Sequence, residues 1–330
     1  MMVLWVIAIL SVIAFEFGYA MRTEVKITKN FQEELQLYAL AEGGVERAIA
    51  ELVYKHDSRM RSKRKTLGAE GFPPEKKEWV TDGRGYRLAF ELGICEVRVM
   101  GEAGKININL VSGMLLRKVM ANLEVEGEAR DIVVDSLLDW RDADDFYRLQ
   151  GAENDYYQSL PEPYECKNGN LDSIEELLLV RGVTPELFYG KKTTLTEEGE
   201  REKSKGSGLK DIFSVYALGE QIDINSATLS VLRVALGISS GVARSIIKAR
   251  EEKAFENQQD LLQRVPELTL FFGEIGRFLL FQSLNPFYSI EAQAHIKKGE
   301  SLRGIKVIVK IDPREKNGYK IIQWLDAFAS

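Results

Sequence analysis

From Met1 to Phe15 every position but Ser11 is apolar, and the run continues through Glu16 to Met21 before Arg22. At about 1.5 Å of rise per residue, roughly 20 residues of helix reach across a bilayer core of about 30 Å, so residues 1–21 read as a membrane-spanning segment. A cleaved signal is the alternative, since Gly18-Tyr19-Ala20 offers a site of small residues, but no basic stretch precedes the run. The helical pattern does not stop at the membrane boundary. Phe31, Leu35, Tyr38, Val45, Ile49 and Leu52 recur at spacings of three, four and seven, with Glu33, Glu34, Glu42, Glu46, Arg47 and Glu51 on the remaining faces. Residues 22–56 therefore continue one helix of about 50 residues, half in lipid and half laid on a soluble domain, far beyond ordinary globular length.

Beyond a basic segment, "RMRSKRKTLGAEGFPPEKK", the period changes from helix to strand. "KEWV", "YRLAFEL" and "CEVRVM" alternate like short strands, and comparable runs return only as "FYSIEAQAHI", "GIKVIVKI" and "YKIIQWL". Strand-rich pieces at 57–104 and 286–330 thus flank a long helix-rich stretch. The expected fold is α+β: a long helix on a small antiparallel sheet, with an all-α insertion between the two halves of that sheet.

The insertion contains a repeat. "KININLVSGMLLRKV" aligns with "QIDINSATLSVLRVA", which puts Ile106, Ile108, Asn109, Leu116 and Arg117 over Ile222, Ile224, Asn225, Leu232 and Arg233. Asn109 and Asn225 stand where a helix N-cap is expected. The next helices, "SLLDWRDAD" and "SIIKAREEKA", correspond as well, as do "LDSIEELL" and "FENQQDLL". Two related helical units follow, at 105–212 and 213–285, joined by the polar linker "KKTTLTEEGEREKSKGSGLK". The first copy carries extra residues between its second and third helices.

Those extra residues hold the most conspicuous chemistry of the chain, "DWRDADDFYRLQGAENDYY", in which Asp139, Asp142, Asp144, Asp145, Glu153 and Asp155 crowd around a Gln150-Gly151 turn. Carboxylates this close repel unless they are solvated, paired or wrapped around a hard cation, and calcium takes six to eight such oxygens. Asp142, Asp144, Asp145, Glu153 and Asp155 are the candidate ligands; a solvated acidic face is the plain alternative, and the spacing is not that of an EF-hand. Composition narrows the rest. With two histidines and two cysteines, Cys95 and Cys166, there is almost no material for zinc sites, triads or a disulfide framework, and both thiols are expected free. A net charge of −6 argues against a protein built to neutralise phosphates. "GISSG" formally matches a nucleophile elbow at Ser239, but a helix precedes it, so a helix-to-helix turn is expected and no catalytic residue is assigned. The surrounding "IDINSATLSVLRVALGISSGVARSIIKAREEKAFENQQDLL" is similar to the helix-hairpin-helix of DNA-binding proteins. Lys248, Arg250 and Lys253 supply positive charge there, interleaved with Glu251, Glu252 and Glu256.

Taken together, "VLWVIAILSVIA", "LYALAEGGVERAIAEL", "LLDWRDADDFYRLQGAENDYYQSL", "LDSIEELLLVRGVTPELF" and "IDINSATLSVLRVA" resemble, in order and along nearly the whole chain, the K-class minor pseudopilins of type II secretion systems. The resemblance implies a pilin-like domain with a large helical insertion. It implies a single-pass inner-membrane anchor with the bulk of the chain in the periplasm, at the tip of a pseudopilus. The implied partners are the I-class and J-class minor pseudopilins, the major pseudopilin and the inner-membrane assembly platform. It also implies structural calcium held by the insertion, and no enzymatic activity. Trp5 stands where most other pilins carry Glu, an absence the K class shares. The Gly after which prepilin peptidase cuts is missing before the apolar run, which implies a start lying inside the true reading frame. The competing function is a membrane-tethered DNA-binding or DNA-uptake module.

Overall fold

A computed structural model describes residues 2–56, 79–191, 206–296 and 302–327. The basic segment and most of the polar linker lie outside these residues, as do the first two positions of "KEWV"; Trp79 and Val80 form no strand. Trp79 stacks instead on Tyr86, with ring centroids 4.3 Å apart. The chain divides into two compact units, one of residues 1–79, 84–99 and 289–330, the other of residues 80–83 and 100–288.

The first unit begins with a single helix, Met2–His56. Its first half is long and apolar enough to cross a membrane, and residues 2–32 are exposed throughout. Burial begins at Leu37 and runs through Leu40, Ala41, Gly44, Val45, Ala48, Ile49 and Leu52, a stripe at three- and four-residue steps. Phe31 and Leu35, expected on that stripe, are exposed. Gly44 allows the closest approach: a Cβ there would sit 2.5 Å from Cys95 Sγ and 2.9 Å from Val97 Cγ2.

The sheet has five strands among the described residues: β1 (Asp82–Ala89), β2 (Gly93–Gly101), β7 (Phe287–Ile296), β8 (Leu302–Ile311) and β9 (Tyr319–Ala327), in the order β1-β2-β7-β8-β9. It is antiparallel; β8 and β9 pair from Ile305 opposite Asp326 to Ile311 opposite Tyr319, with an irregularity at Ile308/Val309. Burial alternates along β2, where Cys95, Val97 and Val99 point inward and Arg98 outward, as a half-buried strand requires. The fold is the expected α+β.

The second unit is built twice on one plan. In each copy a two-residue strand pairs in parallel with another: β3 (Ile106–Asn107) with β4 (Phe213–Ser214), and β5 (Ile222–Asp223) with β6 (Leu279–Leu280). A helical hairpin follows, comprising Gly113–Asn122 and Gly127–Arg141 in the first copy and a π-helical turn at Val231–Ala235 with helix Ser240–Glu252 in the second. Leu116 and Leu232 are both fully buried in one continuous core, which is the physical reason the repeat is legible.

Asn109 and Asn225 do not cap those helices. Ser112 accepts from Leu115 N at 3.3 Å in the first copy, and Thr228 accepts from Val231 N at 3.3 Å in the second. Each Asn instead pins a distant loop with both ends of its amide. Asn109 donates to Leu171 O at 2.9 Å and accepts from Leu171 N at 2.8 Å; Asn225 does the same to Phe255 O and N at 2.9 and 2.8 Å. A three-atom amide matched to a backbone pair satisfies two buried polar groups at once, which a cap would not.

Candidate functional site

The acidic loop leaves the helix Gly127–Arg141 at a residue with a fixed job. Arg141 turns back to donate to Ile108 O at 2.6 Å and to Val111 O. Its counterpart Arg250 donates to Ile224 O at 2.8 Å and Ala227 O at 2.7 Å. Both copies thus end the same helix with the same clamp and re-enter the frame at the same asparagine. Between Arg141 and Leu171 lie 29 residues; between Arg250 and Phe255 lie four. All five candidate ligands fall in the longer connection.

Within it, the Arg148–Gly151 turn folds the strand of carboxylates onto itself. Gly151 N donates to Arg148 O at 3.0 Å, and Gly151 lies so close to Asp139 that a Cβ would fall 1.7 Å from its Oδ2. Only glycine fits there. An aromatic wall stands behind the loop: Trp140 meets Tyr157 edge-on at 5.0 Å, and Tyr157 packs on Tyr164 at 5.4 Å.

Glu153 is the pivotal residue. It is 1% exposed, and neither of its carboxylate oxygens has a hydrogen-bond partner. Burial, reinforced by Asp139, Asp142, Asp145 and Asp144 around it, pushes its carboxyl up to about 7. Two further acceptors are buried and unsatisfied beside it, Asp142 Oδ1 and Asn168 Oδ1. Asn168 is itself held in place, donating to Asp145 Oδ1 at 2.9 Å, with a left-handed backbone at φ 45°. Asp144 Oδ1 accepts from Phe146 N at 2.9 Å. Asp139, fully buried, accepts from Arg148 N at 3.3 Å and from the Arg148 guanidinium, which also reaches Asp142.

Four of the five expected ligands, Asp142, Asp144, Asp145 and Glu153, are thus brought into one electrostatic cluster. Asp155 is not among them: it is exposed, and its Oδ1 accepts from Tyr156 N at 2.7 Å at the start of its own short helix. Sequence reasoning set aside Asp139 and overlooked Asn168, whose only signal was the Asn-Gly step of a tight turn. Among the described residues no three His, Cys, Asp or Glu side chains already converge as a metal site, and Arg148 spans Asp139 and Asp142. The donors nevertheless suit a hard cation: buried carboxylate and amide oxygens with unused lone pairs. Burial pushes the Cys166 thiol up to about 11, which disfavours the thiolate form that a soft metal takes.

The other motifs resolve more simply. Ser239 Oγ accepts from Val242 N at 3.4 Å and starts the helix Ser240–Glu252, the turn expected of "GISSG". Of the three hairpin cations, Arg250 is buried on its carbonyls and Lys253, exposed like Lys248, is paired with Glu256 at 2.7 Å.

Residues 104–191, the first helical unit with its acidic loop, match the family model for type II secretion system protein K. The chain is similar to proteins of that family over most of its length. Family members are minor pseudopilins of type II secretion. The K protein of Pseudomonas aeruginosa is 24% identical over 280 residues, spanning 83% of this chain and 78% of that one. The K protein of Pectobacterium carotovorum is 34% identical over 74 residues, 22% of this chain and 23% of its own. Among solved structures, a chain of the GspK-GspI-GspJ complex from enterotoxigenic Escherichia coli shares the fold. Its TM-score is 0.59 at 16% identity, covering 92% of this chain and 99% of that one. Residues 218–269 also match a helix-hairpin-helix model, which describes the second copy's hairpin.

Proposed function

We propose that this chain is a K-family, non-enzymatic assembly subunit at the tip of a periplasmic pseudopilus. The first half of helix Met2–His56 anchors it in the inner membrane, and the bulk of the chain stands in the periplasm. The I-class and J-class minor pseudopilins are its neighbours there, with the major pseudopilin and the assembly platform below. One observation carries the reading: a helix whose apolar first half finds no cover among the described residues, while its second half is laid on a sheet interrupted between β2 and β7 by the largely helical second unit. Such a helix calls for lipid or for other helices of its kind. The bulk of the inserted unit then blocks addition of a further subunit above it. The test is a chain that passes from residue 104 directly to residue 286, examined for complex formation with the other minor pseudopilins and for secretion. Normal complexes and normal secretion would overturn the reading.

The loop 142–168 is proposed to take calcium, with Asp139, Asp142, Asp144, Asp145, Glu153 and Asn168 as the oxygen donors that would hold it. Bound calcium would supply positive charge and coordination to acceptors that are otherwise buried without partners. The supporting observation is the pair of orphaned Glu153 oxygens, since a buried carboxylate without a partner costs several kcal/mol (order of magnitude). Calcium titrated into the detergent-solubilised chain is expected to raise its thermal midpoint, and to leave an Asp142→Ala, Asp145→Ala variant unmoved. Equal response of parent and variant would sink the assignment.

A further inference from the structure

The cluster already contains one cation, and its placement has a consequence for any other. Arg148 Nη1 donates to both Asp139 Oδ1 and Asp142 Oδ2, while its backbone N–H holds Asp139 Oδ2 at 3.3 Å. The backbone contact fixes Arg148 to the loop whatever its side chain does. The side chain is 38% exposed although Asp139 beneath it is fully buried, so the guanidinium enters from the solvent side and has a way back. It serves one oxygen of Asp142 and leaves the other, Oδ1, without a partner; neither oxygen of Glu153 has one. Two other guanidiniums nearby bond to carbonyls instead: Arg141 donates to Ile108 O and Val111 O, and Arg181 donates to Gly151 O at 3.0 Å. Among the described residues Arg148 is thus the guanidinium that bonds directly to carboxylates of this cluster.

We infer that Arg148 is a built-in counter-cation of the metal-free loop that gives up Asp139 and Asp142 when a divalent cation arrives. The inference rests on the calcium reading above. Its physics is exchange. A divalent ion needs the lone pairs that the guanidinium now occupies, and two cations on the same pair of carboxylates repel in a poorly solvated site. While Arg148 is in place the loop keeps its fold at part of its charge, and the observed affinity is lowered by the fraction of molecules whose site is arginine-filled. An arginine-filled fraction of about nine-tenths lowers affinity about tenfold. The opposite role is distinct. If Arg148 stayed put and merely aimed the two carboxylates at the ion, its loss would loosen the site and weaken binding.

The experiment is calorimetric titration of calcium chloride into the full-length chain in detergent at fixed ionic strength, with thermal midpoints taken in chelator, for the parent, Arg148→Gln and Arg148→Lys. Exchange predicts that Arg148→Gln binds calcium about tenfold more tightly, while its midpoint in chelator falls. Arg148→Lys keeps the charge without the fork and is expected between parent and Arg148→Gln. A parent that binds calcium beside an Arg148→Gln variant that binds equally or more weakly overturns exchange and leaves the calcium reading standing. Arg148→Lys tighter than Arg148→Gln overturns it too, since the charge would then not compete. A parent that binds no calcium overturns both the calcium reading and this inference.

Discussion

The two helical units are a controlled comparison inside one chain. Both close their second helix with an arginine on two carbonyls, and both pin the returning chain with an asparagine amide. Between these two fixtures the second copy crosses with Glu251–Ala254, whereas the first makes an excursion through 29 residues, carrying Asp142, Asp144, Asp145 and Glu153 into a half-buried cluster. The frame therefore does not need the excursion to close. What the first copy adds is a charged site mounted on a scaffold that already folds, so scaffold and site can be broken separately.

The largest separation comes from the arginine clamps. Arg250→Met strands the carbonyls of Ile224 and Ala227 and removes the ion pair with Asp82, 3.7 Å from Arg250 Nε. Removing one partner of such a buried set costs about 3–5 kcal/mol. Arg141→Met strands Ile108 O and Val111 O and is expected to cost somewhat less. The two should differ in kind as well: thermal midpoints fall for both, but calcium affinity falls only for Arg141→Met. An Arg250→Met chain that loses calcium affinity equally would show that frame and site are one cooperative body.

Next in size are the asparagines. Asn109→Ala removes two hydrogen bonds and Asn225→Ala three, the third to Phe281 O at 2.8 Å; each leaves a backbone N–H and C=O unpaired, at about 2–4 kcal/mol apiece. Because Asn109 holds the far end of the acidic excursion at Leu171, calcium should recover part of the Asn109→Ala loss and none of the Asn225→Ala loss. Equal recovery, measured as the calcium-induced rise in midpoint, would break the comparison.

The charge of the excursion gives a signature in pH. A glutamate in the unfolded chain titrates near about 4.3, and folding pushes Glu153 up to about 7. Between those values the folded chain binds the extra proton, so stability in chelator falls as pH rises through the window and levels off above it. The cause is burial beside Asp139, Asp142, Asp145 and Asp144, with Arg148 the opposing charge on Asp139 and Asp142. Glu153→Gln should flatten that slope, raise the midpoint in chelator at pH 8 by an amount worth about 1–3 kcal/mol, and abolish the response to calcium. A midpoint that climbs with pH in the parent would contradict the buried-carboxylate account.

The sequence reading did well where one-dimensional periodicity maps onto a face, as in helix Met2–His56, in β7 from Phe287 to Ile296, and in the paired Leu116 and Leu232 of the repeat. It failed where a side chain acts at long range. Asn109 looks like a cap because caps are local, yet its amide reaches Leu171, and nothing within a few residues of Asn109 announces that. Arg250 reads as a surface cation in a charged helix until the fold turns it inward. In the acidic loop the carboxylate count was legible, but which oxygens are orphaned depends on the Arg148–Gly151 turn, which lifts Asp155 out of the cluster and brings Asn168 in.

The smallest contrast lies in the hairpin turns. The first helix of each hairpin ends in a left-handed residue: Glu124 at φ 63° in the first copy and Gly237 at φ 72° in the second. Glycine adopts that region freely, whereas a residue with a Cβ costs about 1 kcal/mol there. Glu124 is exposed, so replacing it removes strain and no packing. Glu124→Gly should therefore stabilise by at most about 0.5 kcal/mol, once the greater freedom of glycine in the unfolded chain is subtracted from the relief. Gly237→Ala should destabilise by a similar amount; the new methyl would meet Asn122 Nδ2 at an ordinary 3.4 Å, so the cost comes from the backbone alone. Opposite shifts in thermal midpoint, with calcium affinity unmoved in both, would place the strain of the two copies in their turns. Shifts of the same sign would mean that the left-handed turn is held by its tertiary surroundings more tightly in one copy than in the other.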